Sequence, residues 1–155
     1  MIITLTYADL YDTVERSLSI IGKRSTDDNG NRLFTDITLG SRETVLIHDY
    51  FRQAVIDLST ETAAFITAGS ETAITLSFPT NHNPALETFI QDSCKAYCVS
   101  FALYSWFTVT APRIAEKYLA DCNRQLKAVI RLIHDKKAPQ SSAAAPTDIS
   151  TTVTP

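Results

Sequence analysis

Glycine is scarce in this chain: four residues among 155. So few flexible positions argue against a loop-rich or barrel architecture and favour helices. Cysteine is scarce too. Cys94, Cys98 and Cys122 are an odd number, which closes no disulfide framework. His48, His82 and His134 sit on three separate segments and offer no short-spaced zinc ligand set. The three thiols read as buried, reduced, small apolar groups that suit a reducing compartment. Neither charge sign dominates: the formal net charge is −3, without the basic excess of a dedicated nucleic-acid binder. The longest apolar run, Ala96 to Phe107, is interrupted by serines and is too short to span a bilayer. The opening Met-Ile-Ile-Thr-Leu-Thr has neither the basic start nor the apolar stretch of a signal peptide, so cytoplasmic synthesis is expected and no membrane partner.

Catalytic motifs are missing as well. There is no glycine-rich phosphate loop, no His-Glu-x-x-His and no Gly-x-Ser-x-Gly. His48 precedes Asp49 and His134 precedes Asp135, but consecutive helical residues point about 100° apart and make no base–orienter pair. The expectation is a protein that is not an enzyme and holds no metal or cofactor.

What the chain does have is helical periodicity. Thr6 caps a first helix whose stripe is Leu10, Val14, Leu18 and Ile21, with Gly22 as its stop. Ser41 introduces a second, in which Val45, Ile47, Phe51, Ala54, Val55, Leu58, Phe65 and Ile66 keep helical spacing almost to Gly69, with a bend expected near Thr60. Asn83 and Pro84 are a good cap and first residue for a third helix running to Thr110, with Leu86, Phe89, Ile90, Cys94, Tyr97, Cys98, Phe101 and Ala102 on its apolar side. Pro112 ends that helix and begins the fourth. Ile114, Tyr118, Cys122, Leu126, Val129 and Ile133 then form one stripe on a helix about 35–40 Å long.

Two short stretches lean to strand. Residues 32–39 alternate around Ile37 and Leu39, and residues 71–78 carry Ile74, Leu76 and Phe78 with a period of two. The two are expected to pair as a small ribbon. From Ala138 onward Pro, Ser, Ala and Thr dominate and periodicity ends. The expected fold is mainly α: a four-helix bundle over residues 1–137 with a two-stranded β element, then a flexible tail, 138–155, disordered or bound to a partner.

Charge is unevenly placed. Residues 1–92 hold 13 acidic and 6 basic side chains (−7), and residues 93–155 hold 4 and 8 (+4). Such a chain has the means to pair head to tail with copies of itself. Arg113, Lys117, Arg124, Lys127 and Arg131 share one face of the last helix, extended by Lys136 and Lys137. That face reads as a solvated surface or as one that meets acidic protein or passing DNA phosphates. No aromatics interleave it, which argues against a single-strand stacking platform. The third helix carries Tyr97, Phe101, Tyr104, Trp106 and Phe107 on several sides, more apolar surface than one packing face needs. Tyr104, Trp106 and Phe107 are therefore interface candidates together with the seven basic residues.

The last helix pair, Ala96 to Pro139, also resembles a known family. Its carriers are Tyr97, the run Ala102-Leu103-Tyr104-Ser105-Trp106-Phe107, then Ala115-Glu116-Lys117-Tyr118, and the ending Arg131-Leu132-Ile133-His134-Asp135-Lys136-Lys137-Ala138-Pro139. This pattern resembles the small helical head–tail connector, or adaptor, proteins of tailed bacteriophages, and is similar to versions from phages of Bacteroides-like gut bacteria. The resemblance implies a virion structural protein at the head–tail interface. It would form a homo-oligomeric ring, expected to be dodecameric, beneath the portal protein, with tail or further connector proteins below and DNA passing through the channel. It brings no catalytic residues. The alternative is a small oligomeric helical regulatory or DNA-associated protein.

Overall fold

The computed structural model describes residues 1–24, 40–78 and 83–134. Its elements, in order, are strand β1 (Ile2–Thr6), helix α1 (Tyr7–Arg24), helix α2 (Ser41–Thr62), strands β2 (Phe65–Gly69) and β3 (Ala73–Ser77), a 3-10 turn (Pro84–Leu86), and helices α3 (Glu87–Thr110) and α4 (Pro112–His134). Among the described residues the fold is mainly helical, with four α-helices, as the periodicity predicts.

Helix α3 is the centre. Ile90, Cys94, Tyr97, Cys98, Val99, Ala102, Leu103 and Phe107 are all buried along it, and α1, α2 and α4 each pack against it. Asn83 caps the entry, its Oδ1 accepting from the Ala85 N–H at 3.1 Å. The first turn is 3-10, and the α-helix proper starts at Glu87. Phe89, placed by spacing in the buried stripe, is 62% exposed. At the other end a single residue, Ala111, separates α3 from α4; its N–H donates to the Phe107 carbonyl at 2.8 Å. Pro112 then starts α4 at the position where its missing N–H costs nothing. The returning helix is held by a stacked pair, Phe107 on Tyr118, with ring centroids 5.6 Å apart and planes 11° apart.

The β element differs from expectation. Among the described residues it has three strands, in the order β1-β3-β2, with both pairings antiparallel. Residues 32–39 lie outside the described residues, and both sides of β3 are already taken by β1 and β2. The missed strand is the N-terminus: Ile3 and Leu5 point into the core while Ile2 and Thr4 point out. Ile3 sits opposite Leu76 and Leu5 opposite Ile74, so two buried apolar pairs form the core-facing side of the sheet. Thr6 is therefore the last strand residue, and α1 starts at Tyr7 with no loop between them. α1 also runs two residues past Gly22.

α2 is shorter than its apolar spacing suggests. Its N-cap is Gly40, and it ends at Thr62 rather than near Gly69. Ala63 adopts the left-handed conformation, φ 52° and ψ 27°, and the Ala64 N–H reaches back to the Ser59 carbonyl at 3.1 Å. Thr62, a buried polar residue, donates its hydroxyl to the Leu58 carbonyl at 2.6 Å. Phe65, Ile66 and Thr67 prefer extended backbone, and pairing with β3 decides for the strand. Hence Phe65 (74%) and Ile66 (46%) are exposed instead of lying in the helical stripe. Residues 138–155, expected to be a tail, lie outside the described residues. Among those described, no helix is long and apolar enough to cross a membrane.

Left-handed backbone costs alanine about 1–2 kcal/mol, partly offset in glycine by unfolded-state entropy. Ala63→Gly is expected to stabilise the protein by about 0.5–1 kcal/mol, a rise in Tm of about 1–4 °C, checked by thermal melts of the two proteins.

Candidate interaction surface

At 100° per residue, Arg113, Lys117, Arg124, Lys127 and Arg131 fall within about 80° of arc on α4. Ala115, Cys122, Val129 and Ile133, the buried residues of that helix, centre on the opposite side. All five cationic side chains are exposed. From first to last the stripe is about 27 Å long. Arg124 is paired, its Nη2 lying 2.8 Å from Asp121 Oδ1, and the Lys117 ammonium sits 5.8 Å from the Tyr118 ring centroid. Arg113, Lys127 and Arg131 make no ion pair among the described residues. Both observed contacts are local to the helix, from exposed cations to half-buried partners, so they trim the field of the stripe without cancelling it. Lys136 and Lys137 lie outside the described residues.

The aromatic candidates separate. Phe107 is fully buried and belongs to the core, not to a surface, because its ring is the one stacked on Tyr118. Tyr104 and Trp106 are half-buried. Trp106 lines a groove of about 240 Å3 with Leu46 and Tyr50 of α2 and with Val109 and Thr110 at the end of α3. Leu46 is 42% and Val109 80% exposed, and Arg42 and Glu43 of α2 complete the lining, so apolar and charged side chains share the groove. Arg113 follows three residues after Thr110, which places the groove at the start of the basic stripe.

A second hollow, about 200 Å3, lies between α1 and α2 and is lined by Tyr7, Ala8, Tyr11, Thr44, His48 and Phe51. The His48 ring stacks obliquely on Tyr7, with centroids 3.9 Å apart, and Tyr11 and Thr44 share a hydroxyl hydrogen bond of 2.9 Å. No carboxylate lines this hollow, so His48 has an aromatic neighbour where a catalytic base would need an orienting acid. Among the described residues, no three or more His, Cys, Asp or Glu side chains converge as a metal site would require.

The three thiols are free and buried in the packing of α3 and α4. Burial pushes Cys94 and Cys122 up to about 12 and raises Cys98 as well. A thiol held protonated is a poor nucleophile and a poor metal ligand. Burial, reinforced by the Asp57 carboxylate, likewise raises the Tyr97 phenol.

Ile2, Phe65 and Ile66 are surface residues that the sequence periodicity does not reveal: Ile2 falls outside its helical elements, and helical spacing places Phe65 and Ile66 in the α2 stripe. The alternation Ile3-Thr4-Leu5-Thr6 is the available signal for β1. Comparison of the chain with protein-family models, with curated proteins and with solved structures finds no match to any of them.

The raised thiols set a pH dependence. Their folded pKa values lie above the unfolded value near 9, so from about pH 9 to 12 the unfolded chain loses protons that the folded chain keeps. Stability from these groups is complete below pH 9 and falls as the pH rises through that window. Melting temperature is expected to decline above pH 9, less steeply in Cys94→Ala than in the parent. Thiol reagents at pH 8 should label the native protein far more slowly than the denatured one.

Proposed function

We propose that this protein is a structural subunit that works by shape: a head–tail connector of a tailed bacteriophage, assembled as a ring beneath the portal and joining capsid to tail. The reading begins from the sequence resemblance of residues 96–139. The structural observation that supports it most is the two-sidedness of α4, which commits one side wholly to the core and presents a 27 Å cationic line on the other. A second support is the groove around Trp106, lined by exposed apolar side chains together with Arg42 and Glu43, near the start of that line. The cationic line of one copy faces acidic surface on another copy or on the portal, and in a ring it borders the channel through which DNA passes. Apolar rim residues add contact area where charge alone contributes little. Contacts of this head-to-tail kind close into a ring when the rotation per subunit divides a full turn. In this reading the protein is made in the bacterial cytoplasm and ends in the virion.

A second reading is a small oligomeric helical protein associated with DNA. It is favoured by the same stripe, whose length matches several successive phosphates of a duplex.

Mass measurement by light scattering or native mass spectrometry, alone and with the portal protein of the same genome, is the direct test. A ring mass in either setting is the expected outcome, and a monomer in both rejects the reading. In Arg124→Glu/Arg131→Glu, assembly is expected to weaken by about tenfold or more; an unaltered mass would remove the stripe from the interface. Nanomolar to micromolar duplex binding that falls steeply with salt, without assembly, would establish the second reading instead.

A further inference from the structure

The sheet has two open edges. β3 is paired on both sides, whereas β1 and β2 each present one side of the backbone to no other described strand. Unpaired strand edges attract other strands, and folded proteins ordinarily blunt them with lysine, proline or inward-facing charge. Neither edge here carries such a residue: β1 reads Ile-Ile-Thr-Leu-Thr and β2 reads Phe-Ile-Thr-Ala-Gly. The one disruption is a bulge between Ile66 and Ala68.

Every residue of β2 is exposed, so the core holds this strand weakly. Its two large apolar residues sit at one end. Phe65 lies opposite Ser77, and so does Ile2 on the far side of β3. Directly opposed residues share a face, so Ile2, Ser77 and Phe65 form one row across the outer face of the sheet. Ile2 is 71% and Phe65 74% exposed, one at each end of that row. On the inner face the next row is Ile3, Leu76 and Ile66, with exposures of 4%, 0% and 46%, so cover fails at β2 alone.

Strand direction makes a second copy of this chain a fitting occupant. β1 and β2 are both antiparallel to β3 and therefore parallel to each other. A second copy set beside the first, in the same orientation, brings its β1 against β2 with both strands running the same way. This contact uses different edges on the two molecules, so it repeats from copy to copy. A two-fold β2–β2 contact would instead stop at a dimer and leave both β1 edges open.

We propose that copies of this chain join by continuing the sheet, β2 of one copy beside β1 of the next, in the register that sets Phe65 against Ile2 of the neighbour. That register buries the two exposed apolar ends of the outer row against each other and places Ile66 under new cover. The inference rests on the self-assembly part of the proposed function and names its junction; it is independent of the portal and of DNA.

Cross-linking tests it. Within one chain Ile2 and Phe65 are two strand spacings apart, about 9–10 Å, beyond the about 7 Å that a disulfide spans. A disulfide in Ile2→Cys/Phe65→Cys can therefore form only between molecules, and the native thiols are buried. Mild oxidation of the folded protein at high micromolar concentration should give a ladder of dimers, trimers and larger species on a non-reducing gel. Neither single variant should give it. Phe65→Lys, at an exposed position, should lower the assembled mass to the monomer with the far-UV circular dichroism spectrum of the folded protein retained. A dimer from Phe65→Cys alone would overturn the proposal in favour of a two-fold contact. Assembly of the parent protein with no ladder would overturn the junction and leave the connector reading standing. A parent protein that stays monomeric alone at these concentrations would also overturn the junction, and the connector reading would then rest on the measurement with the portal.

Discussion

The constraint on which the rest depends is the enclosure of α3. Eight of its side chains are buried, distributed around more of the helix than one packing face can account for. Such a helix has no stable place at a surface, so α1, α2 and α4 are arranged around it, and the sheet covers what the helices leave. The one-residue link at Ala111 follows from this. With α4 required to return along α3, a longer connection would only add backbone entropy to lose. The Phe107–Tyr118 stack then sets how α4 is rotated against α3.

That rotation is what gives the surface its chemistry. Once Ala115, Cys122, Val129 and Ile133 face α3, the helix geometry leaves no freedom over where the arginines and lysines go. The cationic line is a consequence of core packing, not of any contact among the cations. The thiols make the same point from inside. Cys94, Cys98 and Cys122 fill space between α3 and α4, and their burial removes the reactivity that a cysteine elsewhere could offer.

Helix order was legible because 3.6-residue periodicity, an Asn-Pro start and Pro112 are strong local signals that tertiary structure reinforces. The face of α4 was legible for the same reason, residue by residue. The end of α2 was not. Phe65 and Ile66 fit the helical spacing, and only pairing with β3, a contact with residues 74–77, converts them to strand. β1 was hidden in another way: Ile3 to Thr6 alternate in polarity, but the partner strand lies 67 to 75 residues away. Phe107 shows the limit for site residues. Its sequence neighbours Tyr104 and Trp106 are half-buried, and spacing alone did not say that the ring between them in character would turn inward to meet Tyr118.

The passage from β1 to α1 contains no spare residue: Thr6 closes the strand and Tyr7 opens the helix. The hydroxyls of both are buried without a hydrogen-bond partner among the described residues, and Tyr7 packs on His48 and Phe51 of α2. A tug on the free margin of β1 is thus delivered to the bundle without slack. Slipping the strand would drag aromatic rings out of their seats. In any array that tied molecules together at that margin, tension would travel through rigid backbone, and the stiffness of the array would be that of the helices themselves.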